Sequence, residues 1–362
     1  MKKILIVLPS LTQSNGITSY CWNYLKKIDK NDLKIDILSS DKRPSQLFLD
    51  FCNENNINVY FYQNIKKGGL LNYIKFIKKF FKENHDYDVV HCNVINHGLF
   101  ILKEAKKYRI KKRVLHSHAT KASEKKINNI INKFISKRAI KLSTHYFACS
   151  CLAGNYLYGK KAYQVINNAI EFDKYAFNKE YRKEIREKLK ISEDTCIVGF
   201  VGRLSKQKNP IYLLNVFKNY HDLNPNSILV IIGINYMKEE INKEIENLSI
   251  QENVLLLSEI YDVYKYYSAF DFFLLPSFYE GLPVVGVEAQ ASGLHCIFSS
   301  NITEEVKYSP NLVFMDINSL PITWANQMIK TEYKNRKNYY SSDFDIIYQA
   351  KVLESFYKEH ER

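Results

Sequence analysis

The chain is predicted to be α/β, built as two Rossmann-like domains that each carry a doubly wound parallel sheet. Three observations support this. Short apolar runs alternate with amphipathic segments along most of the length, as in parallel strands covered on both faces. At 362 residues the chain exceeds one ordinary core and suits two domains. A highly charged run without strand character, Glu171 to Asp194, separates two such series and reads as the hinge region.

In the first series the apolar runs Ile4–Pro9, Lys34–Leu38, Asn58–Tyr62, Val89–Asn93, Arg113–His116, Tyr146–Ser150 and Gln164–Asn167 are strand candidates. Helical periodicity fills the gaps, for example over Ile17–Ile28, Gly98–Tyr108 and Lys125–Leu142. The second series offers strands at Cys196–Gly202, Ile228–Gly233, Val254–Ser258, Phe270–Leu275, Cys296–Ser299 and Leu312–Met315. Its helices include Pro210–Tyr220 and Lys238–Leu248. The expected domains are 1–175 and 176–343, with residues 344–362 a closing helix that packs back on the first domain. Doubly wound sheets bind ligands beyond the carboxyl ends of their strands, so two of them are expected to face one cleft.

Composition narrows the classes. Hydrophobic content of 46% and charged content of 25% are ordinary for a soluble globular protein. No apolar window reaches the length of a membrane span, and MKKILIVLPS reads as a first strand, too brief for a signal peptide. Seven cysteines form neither a disulfide framework nor the paired spacing of a zinc site, so the cytoplasm is the expected compartment. The formal net charge of +14 is either a lysine-rich solvated surface or a preference for anions, whether a membrane face, a phosphorylated substrate or nucleic acid.

The most informative stretch is PSFYEGLPVVGVEAQASG, Pro276 to Gly293. It follows a buried apolar run, and Pro283 suits the first position of a helix because its φ is fixed and it lacks an N–H. The unpaired amides at such a helix start attract phosphate. Glu280 stands before this helix and Glu288 on it, with seven residues between. Ionised carboxylates accept at both oxygens and suit paired sugar hydroxyls. An anion on backbone dipoles with hydroxyl-rich groups on both sides describes a nucleotide sugar.

Other positions carry weaker signals. Gly16, in SNGITSY, opens a helix where glycine permits close approach to a phosphate, and Asn15 beside it tolerates left-handed geometry. Arg203 and Lys208, in GRLSKQK, follow a strand and either neutralise a diphosphate or form a solvated basic loop. His116 and His118, in RVLHSHAT, share a face if the strand continues; a structural role or a bond to substrate fits them better than a metal. His91 and His97 flank another strand end as structural or cleft-lining residues. Asp86 and Asp88 form a D-x-D at the wrong end of a strand for a cleft and read as a turn. Cys149 and Cys151 read as packing. The basic amphipathic segments Lys66–Lys82 and Lys125–Lys141 either pack an apolar face on their own sheet or lie on an anionic bilayer.

With these residues assembled, the chain resembles the family 4 glycosyltransferases, retaining enzymes of the two-domain GT-B type. The resemblance covers nearly the whole chain and is strongest from Cys196 to Ser299. It rests on the E-x7-E of Glu280 and Glu288, the GRLSKQK loop, HCIFS, Asn15-Gly16, HSHAT and VINNAIE. Within the family it looks most like bacterial enzymes of capsule, exopolysaccharide or lipopolysaccharide assembly.

The resemblance implies that Glu280 contacts the donor sugar, while Gly281, Leu282 and Pro283 shape the loop whose amides meet sugar and diphosphate. It further implies that Glu288 holds the ribose, Arg203 and Lys208 take the diphosphate, and Gly16 approaches it from the other domain. His118, with His116 second, matches the family's active-site histidine, which contacts donor sugar or steers acceptor. Asn15, Asn209, Ala169, Glu171 and His295 depart from the pattern without removing a charge the chemistry needs.

The implied reaction is metal-independent retaining transfer from a nucleoside-diphosphate sugar, UDP-linked by resemblance, to a saccharide or lipid-linked saccharide. No cofactor is expected, nor any nucleic-acid partner. Peripheral contact with an anionic membrane is assigned to the basic first domain. The alternatives are a sugar-nucleotide epimerase of similar build and a non-catalytic nucleotide-sugar-binding subunit.

Overall fold

The computed structural model describes residues 1–12, 15–40, 44–118, 126–258 and 260–359, with backbone only at 126–131 and 133. The chain forms two compact units, one made of Met1–Ala169 with Ile346–Arg362 and the other of Ile170–Asp345.

Among the described residues, the first unit holds seven parallel strands: β1 (Lys2–Val7), β2 (Leu33–Ser40), β3 (Asn58–Tyr62), β4 (Val89–Cys92), β5 (Lys112–Ser117), β6 (His145–Ala148) and β7 (Gln164–Val165). Between them run α1 (Gly16–Lys27), α2 (Gln46–Glu54), α3 (Ile65–Glu83), α4 (Gly98–Lys107), α5 (Lys126–Leu142) and α6 (Cys151–Tyr158). The strand order β3-β2-β1-β4-β5-β6-β7 reverses direction between β1 and β4. Every residue of β4 is buried, His91 included, as in a strand covered on both faces.

The second unit begins with α7 (Phe172–Tyr175) and α8 (Lys179–Leu189). Then come β8 (Cys196–Val201), α9 (Pro210–Leu223), β9 (Ser227–Ile232), α10 (Lys238–Asn247), β10 (Val254–Leu257) and α11 (Val263–Ala269). The rest is β11 (Phe272–Leu275), α12 (Val284–Ala291), β12 (His295–Ser299), β13 (Leu312–Met315) and α13 (Pro321–Ile329). The parallel order β10-β9-β8-β11-β12-β13 reverses between β8 and β11. The last helix, α14 (Ile346–Lys358), lies in the first unit and buries Ile346, Ala350, Leu353, Phe356 and Tyr357. Both sheets are therefore doubly wound and parallel, as expected.

Three local expectations are corrected. The charged run Glu171–Asp194 is largely helical and belongs to the second unit. Its arginines face inward: Arg186 donates to Asp271 at 2.7 Å and Arg182 to the same carboxylate at 3.0 Å. Asp271 also accepts from the Ile197 amide at 2.8 Å. The charge that suggested a linker is spent on holding α8 to the sheet. Asn15 is extended (φ −92°), not left-handed, and caps α1 by accepting from the Ile17 amide at 3.0 Å. Of the cysteine pair only Cys149 is buried, and Cys151 is exposed at the start of α6.

The basic segment Lys66–Lys82 forms most of α3, which breaks at Gly69 (φ 78°) and buries Tyr73, Ile77, Phe80 and Phe81. Leu70 and Leu71 stay exposed beyond that face. Lys125 of the second basic segment lies outside the described residues, as do the side chains of 126–131 and 133; Ala119 and Thr120 of the HSHAT stretch are outside as well. No described helix is long and apolar enough to cross a membrane.

Candidate functional site

Each sheet reverses its winding at one point, and loops leaving the carboxyl ends of the strands there diverge to opposite faces and leave a crevice. In the second unit those strands are β8 and β11. The β8 loop carries Arg203 and Lys208; the β11 loop carries Ser277 to Pro283. Two glycines let the β8 loop turn: Gly202 and Gly233 have φ of 148° and 147°, and a Cβ on Gly233 would come within 2.1 Å of the Gly202 carbonyl. Asn209 then takes a left-handed conformation (φ 55°), which its short polar side chain tolerates, and Pro210 opens α9.

Gln207 ties the two loops together. Its side-chain amide donates to the Tyr279 carbonyl at 2.9 Å, and its own carbonyl accepts from the Phe278 amide at 2.8 Å. With the loops fixed in this way, Lys208 Nζ lies 2.6 Å from Glu280 Oε1, both side chains only 11% exposed. In a buried pair of this kind each charge offsets part of the desolvation of the other. An ammonium has three donors, so Lys208 can keep Glu280 and still offer protons to a second anion. Arg203 is partly buried in the same loop and, among the described residues, enters no ion pair or side-chain hydrogen bond.

Helix α12 starts at Val284, with Pro283 as its cap, one position earlier than expected for the proline. Its first turn carries no acidic residue. The Gly286 and Val287 amides reach the Pro283 carbonyl at 3.0 and 3.3 Å; those of Val284 and Val285 find no acceptor among the described residues. Such amides form an anion-binding end. Gly286 allows the helix to lie close to β12, since a Cβ there would meet the Phe298 ring at 2.8 Å. Gly281, Leu282 and Pro283 are buried in the loop between.

Glu288, one turn further along, is also buried, and its carboxylate accepts from the Tyr267 hydroxyl at 2.7 Å. Tyr175 bonds the same carboxylate. Burial first, and then the Glu288 charge, raise both phenols well above their ordinary range, so both remain donors. Neither tyrosine was marked by the sequence: each sits on a short helix, and only the fold brings them to Glu288.

In the first unit the winding reverses at β1 and β4. Gly16 begins α1 after β1, is exposed, and a Cβ there would meet nothing within 4 Å. His116 ends on β5 and His118 follows it; their rings stack 4.0 Å apart at 27°. His118 Nε2 lies 2.8 Å from Asn93 Oδ1, at the end of β4. His116 Nδ1 lies 3.0 Å from His91 Nε2, and His91 Nδ1 lies 2.6 Å from the Tyr357 hydroxyl on α14. Burial pushes His91 and His118 down to about 3 and His116 well down also, so all three are neutral imidazoles.

His97 caps α4. Asp86 and Asp88 serve the turn before β4, Asp86 pairing with Lys3 at 2.6 Å and Asp88 accepting the Lys3 amide at 2.9 Å. Among the described residues no group of three histidine, cysteine or acidic side chains could hold a metal. Asn93, Gln207 and Tyr357 were missed from sequence. Asn93 had a signal, its place just past a strand next to the winding reversal; Tyr357 had none.

Residues 181–306 match the family model described as Glycosyl transferases group 1, a span that includes Arg203, Lys208, Glu280 and Glu288. The chain is similar to EpsF of Bacillus subtilis (strain 168), 28% identical over 92% of this chain and 89% of that one. It is 23% identical to the Escherichia coli UDP-Gal:alpha-D-GlcNAc-diphosphoundecaprenol alpha-1,3-galactosyltransferase, over 95% of this chain and 93% of that protein. CapH of Staphylococcus aureus, a capsular polysaccharide biosynthesis glycosyltransferase, is 28% identical over 78% and 79%. Among solved structures, Anabaena HepE in complex with UDP and glucose superposes with a TM-score of 0.74 at 17% identity, covering 98% of this chain and 95% of that one. Sucrose-phosphate synthase from Thermosynechococcus elongatus gives 0.74 at 16% identity over 99% and 98%. These likenesses establish the fold, two Rossmann-like parallel-sheet domains of the GT-B type.

Proposed function

Starting from a chain that carries a group 1 glycosyltransferase domain, we propose that it transfers a sugar from a UDP-sugar to a lipid-linked saccharide in bacterial surface-polysaccharide assembly, with retention at the anomeric carbon. The observation that carries this reading is the Lys208–Glu280 pair set beside the unsatisfied amides of α12. A diphosphate leaving group gathers negative charge as the glycosidic bond breaks, and fixed cations and amide dipoles lower the barrier most where that charge develops. Lys208, Arg203 and the α12 amides are such groups; Glu280 orients Lys208 and faces the donor sugar. Glu288, held by two tyrosines, takes the ribose. Two protein cations neutralise the diphosphate, which supports a reaction without a divalent ion.

Among the described residues no side chain is set up as a covalent nucleophile, in keeping with attack from the leaving-group side and a phosphate oxygen taking the acceptor's proton. The names of relatives that act on diphosphoundecaprenol-linked saccharides support the lipid-linked acceptor. Contact with an anionic bilayer is assigned to α3, where Leu71, Lys75, Lys78 and Lys82 fall on one exposed stripe at helical spacing. Each lysine near such a surface contributes about 1 kcal/mol.

The test is incubation of the protein with a panel of sugar nucleotides and an undecaprenyl-diphosphate saccharide, with product analysis by NMR. An α-linked product from an α-linked donor, formed equally well in EDTA, is expected. A rearranged sugar nucleotide with no acceptor consumed would establish the epimerase reading instead.

A further inference from the structure

The histidine cluster of the first unit has a direction: Asn93 sets that of His118, and Tyr357, at the far end of the sequence, sets that of His91 and His116. A neutral imidazole has one N–H and one lone pair, so each partner fixes which nitrogen is which. Asn93 Oδ1 only accepts; the His118 proton is therefore on Nε2, and Nδ1 is left as an acceptor. The Tyr357 hydroxyl has no other acceptor among the described residues and donates to His91 Nδ1. His91 consequently carries its proton on Nε2 and donates to His116 Nδ1. His116 is left with an N–H at Nε2 that finds no partner, packed edge-on to Tyr20 with ring centroids 5.3 Å apart. A buried unsatisfied N–H carries its full desolvation cost. Such a cost persists only where the surroundings leave the ring no alternative.

We propose that Tyr357 is a positioning residue for His118. Its hydroxyl sets the tautomer of His91, His91 sets that of His116, and the His116 ring supports His118 with Nδ1 turned to accept a hydrogen bond. The group His118 recognises is then a donor, a sugar or acceptor hydroxyl; a bare phosphate or carbonyl oxygen could not bond to it. This inference rests on the reading that His118 meets substrate in the proposed transfer.

The experiment uses the full chain labelled with 15N-histidine, compared with Tyr357→Phe. In the parent protein, long-range proton–nitrogen correlations are expected to show His91, His116 and His118 protonated on Nε2 from pH 8 to 5. In Tyr357→Phe the His91 and His116 patterns switch or mix, kcat falls roughly tenfold through misplacement of His118, and the donor KM stays within about twofold. Parent protein with His118 protonated on Nδ1 overturns the proposal without need of any variant. So does a Tyr357→Phe protein that is less heat-stable but keeps the parent's tautomers and kcat, since that is a packing role alone. Failure of the parent to transfer sugar at all would defeat the functional reading, while the tautomer pattern would still decide the relay.

Discussion

The two halves of the chain repeat one topology and settle the electrostatics of their strand ends in opposite ways. At the end of β4 and β5 stand three imidazoles and Asn93, with no carboxylate against the rings among the described residues, and burial keeps the rings neutral. At the end of β8 and β11 they are an ammonium and a carboxylate 2.6 Å apart, with a second carboxylate held by tyrosine hydroxyls. Desolvation acts on both sites, and what differs is whether a neighbouring loop supplies a counter-charge. The first site is a set of neutral rings, the second an ion pair.

The largest effect is expected from breaking the ion pair. Lys208→Met leaves Glu280 buried without its cation and should destabilise the second unit by about 3 kcal/mol, while transfer falls at least 100-fold. Glu280→Gln keeps the volume and should cost a comparable factor in kcat, with smaller loss of stability. The double variant should be more stable than Lys208→Met alone, which denaturant titration would show as a coupling energy. Additive losses would mean that the two side chains do not act as a pair.

The neutral site should show itself through pH. His91 binds a proton less readily in the folded chain (about 3) than at its ordinary 6.5, so across that interval the unfolded chain takes up more protons. Stability is complete above about pH 6.5 and declines as pH falls below it, by about 1.4 kcal/mol per unit for each such histidine. Urea midpoints between pH 7 and 4 test this, and replacing His91 with Asn should flatten the slope. An unchanged slope would show that the buried histidine does not account for it.

A smaller effect is expected at the tyrosines. Tyr267→Phe removes one donor from the Glu288 carboxylate and should weaken donor binding by about 1.5–2 kcal/mol, the usual scale for a hydrogen bond to a charged group. Calorimetric titration with UDP measures it. Smallest of all is Gly16→Ala, where open space leaves stability within about 0.5 kcal/mol; a lower donor affinity in that otherwise sound variant would locate a ligand over the helix start.

Much of this was legible in the amino-acid order, for identifiable reasons. Apolar runs such as the ILIV of β1 and CIVGFV name buried parallel strands because few other structures accept so unbroken a run between amphipathic segments. The motif EGLPVVGVE puts one carboxylate before a helix and one on it, since loop and helix signals are local. The errors came where side chains answer to distant partners. Glu171–Asp194 reads as a solvated link because nothing near it in sequence shows that Arg182 and Arg186 meet Asp271, more than 80 residues away.

By itself, then, the sequence determined the two parallel sheets, the strand ends at which chemistry could occur and the residue types placed there, since each follows from periodicity and turn chemistry over a few residues. Tertiary structure alone decided the pairings: Gln207 clamping two loops so that Lys208 meets Glu280, Tyr267 on Glu288, and Tyr357 on His91 across 266 residues. The physical reason is that charge state and hydrogen-bond direction depend on what surrounds a group in space. Only a completed fold fixes which neighbour, out of hundreds of residues, supplies the donor, the counter-charge or the exclusion of water.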